Sequence, residues 1–173
     1  DQDRVESIAF DIMIFTNISH EHLDYHSTLH NYINVKKKVF DNLKSDAIAL
    51  VNNDDKYGMD MIRDTNAKKQ TFSLKSMSDF KCKILENRFD GMLLNINNYD
   101  LWTKLIGKFN AYNLLTVLSA SKLLNLESKK ILVGLSMLKN PDGRFDVVQM
   151  NKIIGIVDYA HTPDALLNVL ETI

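Results

Sequence analysis

At 173 residues the chain can bury one sizeable core and the start of a second, and a formal net charge of -1 excludes any global attraction to nucleic acid or an anionic membrane. Hydrophobic and charged shares of 45% and 25% are those of an ordinary soluble globular protein, so an anionic ligand must be held by a local cluster. A lone cysteine, Cys82, excludes an internal disulfide and a multi-cysteine zinc site, and fits a reducing, cytoplasmic setting. No apolar run is long enough to span a bilayer, and the N-terminus has no signal-peptide core. The opening Asp1-Gln2-Asp3-Arg4, without an initiator methionine, reads as the start of an excised segment.

Taken in order, Phe10 to Phe15 is nearly all apolar and predicts a central strand covered on both faces. Leu29 to Lys44 has helical spacing, Ala47 to Val51 predicts a second buried strand, Tyr57 to Asp64 a short helix, and Gln70 to Ser73 a third strand. Strands alternating with helices predict a parallel sheet with crossover helices, hence an α/β fold. The pattern then changes. Cys82 to Asn87, Met92 to Ile96 and Asp100 to Ile106 are short segments separated by Phe89-Asp90-Gly91 and Asn97-Asn98, which predicts a small antiparallel meander. Asn110 to Leu124 and Ser128 to Leu138 read as helices, Arg144 to Val148 and Ile153 to Val157 as strands. Thr162-Pro163, a cap followed by proline at the first helical position, opens a last helix that runs to the end of the chain.

Several polar groups fall where open α/β sheets keep their ligands. His20, His22, His26 and His30, with Glu21 and Asp24, follow the first strand at its carboxyl end. They read either as a polar loop or as a metal or anion site; the spacing is not that of a zinc peptidase. On the Leu29–Lys44 helix, Leu29, Tyr32, Ile33, Val39, Phe40 and Leu43 form one apolar stripe with Lys36 in its middle, while Lys37 and Lys38 point away. Lys36 is then either a lysine that snorkels to solvent or a semi-buried one whose amine is partly neutral. Asn110 is either an N-cap or, with Asn113 three residues on, one of two amides able to meet an adenine edge. The turn at Pro141-Asp142-Gly143 either leaves Arg144 as a surface arginine at a strand start or projects it towards a phosphate or carboxylate. Asp158 ends a strand and His161 precedes a helix N-terminus, which reads either as a loop aspartate with a helix-capping segment or as a place suited to ribose and phosphate groups.

Together, Gln2-Asp3-Arg4-Val5, Phe15-Thr16-Asn17-Ile18-Ser19-His20-Glu21-His22-Leu23-Asp24-Tyr25-His26, Tyr32 to Lys36, Gly107 to Asn113, Gly143-Arg144 and Val157 to Leu166 resemble the Mur ligases, in particular the MurE type. The resemblance covers essentially the whole chain in the family's order, and Val-Asp-Tyr-Ala-His-Thr-Pro-Asp-Ala-Leu is its most specific stretch. It implies an ATP-dependent ligase that adds the third amino acid, meso-diaminopimelate or L-lysine, to UDP-MurNAc-L-Ala-D-Glu through an acyl phosphate during peptidoglycan synthesis. It implies a P-loop NTPase-like central domain over residues 1–148 and the beginning of a Rossmann-like C-terminal domain over 149–173. It also implies that Gln2 and Arg4 contact the UDP-MurNAc-dipeptide, that His22 ligates Mg2+, and that Lys36 is carbamylated and helps place that ion. Asn110 and Asn113 would hold the adenine, Arg144 the nucleotide, Asp158 the ribose and His161 the phosphate region; Asn17 has no assigned role.

The family's Gly-Thr-x-Gly-Lys loop and its Glu-Val-Ser-Ser-His stretch do not occur in the sequence, so this chain alone is expected to be inactive. A cytoplasmic monomer without nucleic-acid or membrane partners is the corresponding expectation. The alternatives are folylpolyglutamate synthetase, another Mur ligase, or a non-catalytic zinc-binding or interaction module built on the histidines.

Overall fold

Hydrogen bonding links six strands in simple sequence order, β1 (Ile12–Phe15), β2 (Ile48–Asn52), β3 (Lys68–Ser73), β4 (Phe80–Arg88), β5 (Gly91–Ile96) and β6 (Tyr99–Thr103). The first three pairings are parallel and the last two antiparallel. The computed structural model describes residues 5, 8–18, 29–151 and 153–173. The chain divides into two compact units, Asp1–Lys81 and Cys82–Ile173. No helix among the described residues is long and apolar enough to cross a membrane.

In the first unit, helix α1 (Leu29–Asp41) joins β1 to β2, and the one-turn α2 (Gly58–Met61) lies between β2 and β3. This alternation dictates the parallel pairing, because successive parallel strands need a crossover between them. Within β2, Ala49, Leu50 and Val51 are 0% exposed, as an unbroken apolar run in a strand covered on both faces should be. Phe15, Phe40, Leu43, Val51, Met61 and Ile62 form the core on one side, with Met13, Ile33 and Tyr57 packed around it.

Three expectations need correction here. β1 is first in the strand order and its Ile12, Met13 and Ile14 are only half-buried, so it is an edge among the described strands rather than a central one. An apolar run reports that faces are partly covered and does not report position in the sheet. Helix α1 stops at Asp41 rather than Lys44, because Leu43 folds under into the core while its N–H donates to the Phe40 carbonyl. Helix α2 is shorter than the Tyr57–Asp64 span, and Gly58 starts it for a steric reason: a Cβ there would lie 2.0 Å from the Asn52 carbonyl oxygen.

The second unit opens with the meander. β5 turns Met92, Leu94 and Ile96 inward at every second position, and β6 does the same with Leu101 and Thr103. The β5–β6 hairpin closes on Asn97 (φ 47) and Asn98 (φ 70), two left-handed residues of the kind that a tight hairpin requires and asparagine tolerates. The β4–β5 register slips between Ile84 and Glu86, which leaves Leu85 as a bulge.

Helix α3 (Lys108–Leu123) buries Ala111, Leu114, Leu115 and Leu118, and α4 (Ser128–Ser136) packs on α3 and β6 through Ile131 and Leu135. β7 (Asp146–Met150) and β8 (Ile153–Val157) form a separate antiparallel hairpin, followed by α5 (Pro163–Leu170). Thr162 caps α5 as its sequence predicts, accepting from the Ala165 N–H at 3.3 Å. The helix ends at Leu170, with the Glu171 N–H bonded back to Leu167, rather than running to the last residue.

Candidate functional site

In the first unit the carboxyl ends of β1 and β2 are tied together. Asn52, 6% exposed at the end of β2, donates through Nδ2 to the Thr16 carbonyl (2.9 Å) and accepts the Asp54 N–H on Oδ1 (3.0 Å). Asp55 accepts the Ile18 N–H (3.3 Å) on one oxygen and the Tyr57 N–H (2.8 Å) on the other. Both flanks of Asn17 are therefore fixed, and Asn17 itself is exposed. Asp54 organises the loop after β3, accepting from the hydroxyls of Ser73 and Ser76 and from the N–H groups of Leu74 and Lys75. Gln2, Arg4 and His22, together with His20 and His26, lie outside the described residues. His30 is described; its Nδ1 lies 3.0 Å from Asn34 Nδ2 on the same helix. Among the described residues no group of three or more His, Cys, Asp or Glu side chains could hold a metal.

Lys36 is not in the buried centre of the α1 stripe. It is exposed, with Nζ 5.4 Å from the centroid of the Tyr32 ring one turn earlier. The inward face of α1 is centred on Ile33 and Phe40, which puts Lys36 at one edge of the stripe and Lys37 at the other. Lys37, expected to point away, is the lysine that turns in. Its side chain is 16% exposed and bridges Asp41 (2.5 Å) and Asp64 (2.7 Å). Burial works to lower the Lys37 pKa, but the hydrogen bonds to Asp41 and Asp64 outweigh it and the net shift is upward. The same contact with Lys37 holds the Asp64 carboxyl below its ordinary value.

In the second unit α3 begins at Lys108 behind Gly107, whose φ of 90 belongs to glycine and whose missing Cβ leaves room for Phe109 and Thr172. Asn110 is therefore inside the first turn and is not the N-cap. It is 8% exposed and donates through Nδ2 to the Ile106 carbonyl (2.8 Å), while Asn113 is exposed. The two amides are three residues apart on one helix but sit in different surroundings.

Next to Asn110, the ring of Phe109 packs against that of Phe145, centroids 6.0 Å apart. Phe145 is fully buried with φ 47, and this left-handed residue delays the strand expected from Arg144, so that β7 starts at Asp146. The turn before it is the predicted one, closed by the Arg144 N–H on the Pro141 carbonyl (3.0 Å).

Asp158 joins this turn to the loop after β8. One carboxylate oxygen accepts the Phe145 N–H and the other the Ala160 N–H, both at 2.7 Å. Arg144 lies over the Tyr159 ring, Cζ 4.9 Å from its centroid, and the His161 ring meets Tyr159 edge-on with centroids 4.9 Å apart. His161 Nδ1 is also 2.9 Å from the Tyr159 carbonyl. Arg144, Asp158 and His161 thus meet around one tyrosine, just before the N-terminus of α5, where the helix dipole also favours an anion.

Sequence reasoning passed over Tyr159, which sits in a specific motif but carries no spacing signal of its own. It also passed over Asn52, Asp54 and Asp55, although four polar residues in a row after a buried strand are a visible cluster at a strand's carboxyl end.

Residues 1–121 match the model of the Mur ligase middle domain. The UDP-N-acetylmuramoyl-L-alanyl-D-glutamate–2,6-diaminopimelate ligase of Bacteroides thetaiotaomicron is 49% identical over 173 residues, covering 99% of this chain and 36% of that protein. A solved structure of a ligase of the same name superposes with a TM-score of 0.81 at 29% identity, over 98% of this chain and 36% of the other. The MurF ligase of Thermotoga maritima, solved in complex with ADP, shares the fold with a TM-score of 0.80 at 18% identity, over 94% of this chain and 38% of the other. The chain spans about 36% of the length of the curated relative from Bacteroides. A match that runs from the first residue through most of α3 establishes that the chain belongs to the Mur ligase family.

Proposed function

We propose that the chain is part of an ATP-dependent ligase that joins meso-diaminopimelate to UDP-MurNAc-L-Ala-D-Glu in peptidoglycan synthesis, acting as a cytoplasmic monomer. Residues 1–148 would be most of the central domain and residues 149–173 the beginning of the C-terminal domain. The observation that carries the proposal is the convergence of Arg144, Asp158 and His161 in front of α5. The 49% identity to a ligase of that name supports the choice of diaminopimelate over L-lysine.

In this reaction the substrate carboxylate takes the γ-phosphoryl group of ATP, and the amine of the incoming amino acid then displaces phosphate from the acyl phosphate. Such chemistry needs positioning and charge neutralisation more than covalent help. Asn113, exposed one turn into α3, is available to an adenine edge; Asn110 has committed one of its two amide N–H donors to Ile106 and would offer its oxygen or the second donor. Arg144 supplies a permanent cation and His161 a neighbouring ring nitrogen for the phosphates. Both oxygens of Asp158 already accept backbone N–H groups, so a ribose hydroxyl would share an oxygen rather than find a free carboxylate. Gln2 and Arg4 would meet the UDP-MurNAc-dipeptide. Magnesium would contribute charge neutralisation, held by His22 and by a carbamate on Lys36. Exposure leaves the Lys36 amine sterically accessible; once it has given up its ammonium proton to solvent, carbon dioxide can add to it, and the carbamate would give a hard cation the oxygen ligand it prefers.

The test is ADP release by the full-length ligase that contains this chain. Release should require both UDP-MurNAc-L-Ala-D-Glu and meso-diaminopimelate, should be far slower with L-lysine, and should be lost in Lys36→Ala with partial rescue by short carboxylates. Release that needs neither substrate, or stoichiometric zinc binding without nucleotide turnover, would refute the proposal.

A further inference from the structure

We infer that Tyr159 is a positioning residue for nucleotide binding, a platform that sets the Arg144 guanidinium and the His161 ring before the nucleotide arrives. The inference rests on the proposed nucleotide role of Arg144 and His161. Tyr159 is 63% exposed, so it is not there to fill a core. Yet its ring is in use on two sides, by the Arg144 guanidinium over the face and by the His161 ring edge-on, each at 4.9 Å. Its carbonyl is engaged as well, 2.9 Å from His161 Nδ1.

The backbone on either side is locked independently of the ring. Asp158 accepts the N–H of Phe145, next to Arg144, and the N–H of Ala160, next to His161. The segment entering β7 and the segment leaving β8, side by side at the open end of the hairpin, are thereby held together next to Tyr159. An arginine is long and rich in rotamers, and ordering it on binding costs affinity. Stacking over a ring removes much of that cost in advance. It also occupies only the faces of the guanidinium and leaves its edge donors for a phosphate. The phenolic hydroxyl has no part in this arrangement, so phenylalanine should serve as well as tyrosine.

The experiment compares Tyr159→Leu, Tyr159→Phe, Arg144→Ala and the Arg144→Ala/Tyr159→Leu pair in the full-length ligase, reading KM for ATP, kcat and Tm. Tyr159→Leu should raise KM for ATP about two- to fivefold, the size of a cation–ring contact at an exposed site, with Tm unchanged. Tyr159→Phe should recover the parent value to within about twofold, and the double variant should be no worse than Arg144→Ala alone, because the platform acts only through the residue it holds. Strictly additive effects, an unchanged KM in Tyr159→Leu beside a raised one in Arg144→Ala, or a loss in Tyr159→Phe equal to that in Tyr159→Leu would overturn the inference while leaving the nucleotide role of Arg144 intact. An unchanged KM in Arg144→Ala would overturn that role and the platform with it.

Discussion

Replacing Phe145 by alanine and, separately, by glycine distinguishes two contributions that act in opposite directions at the residue anchoring the Arg144 turn. Its ring is 0% exposed and packs on Phe109, so either substitution should cost about 3–5 kcal/mol through lost burial and the cavity left behind. Its backbone is left-handed, φ 47, held by the N–H bond to Asp158 and by Asn140 Nδ2 donating to its carbonyl at 2.9 Å. Those bonds survive both substitutions, so the variants must keep the conformation. Alanine then pays about 1–2 kcal/mol of left-handed strain that glycine does not, while glycine pays about 0.5–1 kcal/mol more in unfolded-state entropy. The glycine variant should therefore be the more stable of the two, by about 0.5–1 kcal/mol. Thermal melts of both variants settle the order, with Val148, an exposed position on β7, as the control where alanine should beat glycine. A Phe145→Gly variant that melts below Phe145→Ala would show that the turn relaxes when the ring is removed, and the anchoring role would fall.

Two further outcomes follow from buried groups. Asn52→Ala should cost about 2 kcal/mol, since it removes the two hydrogen bonds to the Thr16 carbonyl and from the Asp54 N–H; Asn52→Asp, which cannot donate to Thr16, should do little better, and an unchanged melt in both would refute the tie between β1 and β2. Cys82 is 1% exposed and burial pushes its thiol up to about 12, so iodoacetamide at pH 8 should label it only after denaturation. Because that folded value is raised, the stability it contributes is complete below the ordinary thiol range and is lost as pH rises from about 9 towards 12. Cys82→Ala should flatten this alkaline loss; rapid native labelling at pH 8 would contradict the burial.

What could be read from the sequence is what local chemistry decides. The β2 run, the Asn97-Asn98 hairpin and the Thr162-Pro163 start of α5 each carry their own signal, in unbroken apolarity, in two residues that accept left-handed backbone, and in a cap followed by a fixed φ. The α1 lysines could not be sorted in this way. Lys36 and Lys37 flank the stripe on opposite sides, and the choice between them is made partly by Asp64, which lies beyond β2 and is invisible to helical periodicity. The same holds for Asp158. Its place at a strand end is legible, but its engagement with Phe145 depends on a left-handed bulky residue that no propensity would predict. The site's residue types were readable; which of them are already occupied was not.

Gly58 carries a consequence for how this stretch can drift. Met59 beside it is 52% exposed and can be exchanged with little effect, yet any side chain at Gly58 would meet the Asn52 carbonyl at 2.0 Å. Asn52 cannot yield without releasing Thr16, and the adjoining Asp55 cannot without releasing Ile18. A mutation at the start of a one-turn helix is therefore felt at the end of the first strand, on both sides of Asn17. Pleiotropy of this kind confines the position to glycine through packing alone, without the residue ever touching a ligand.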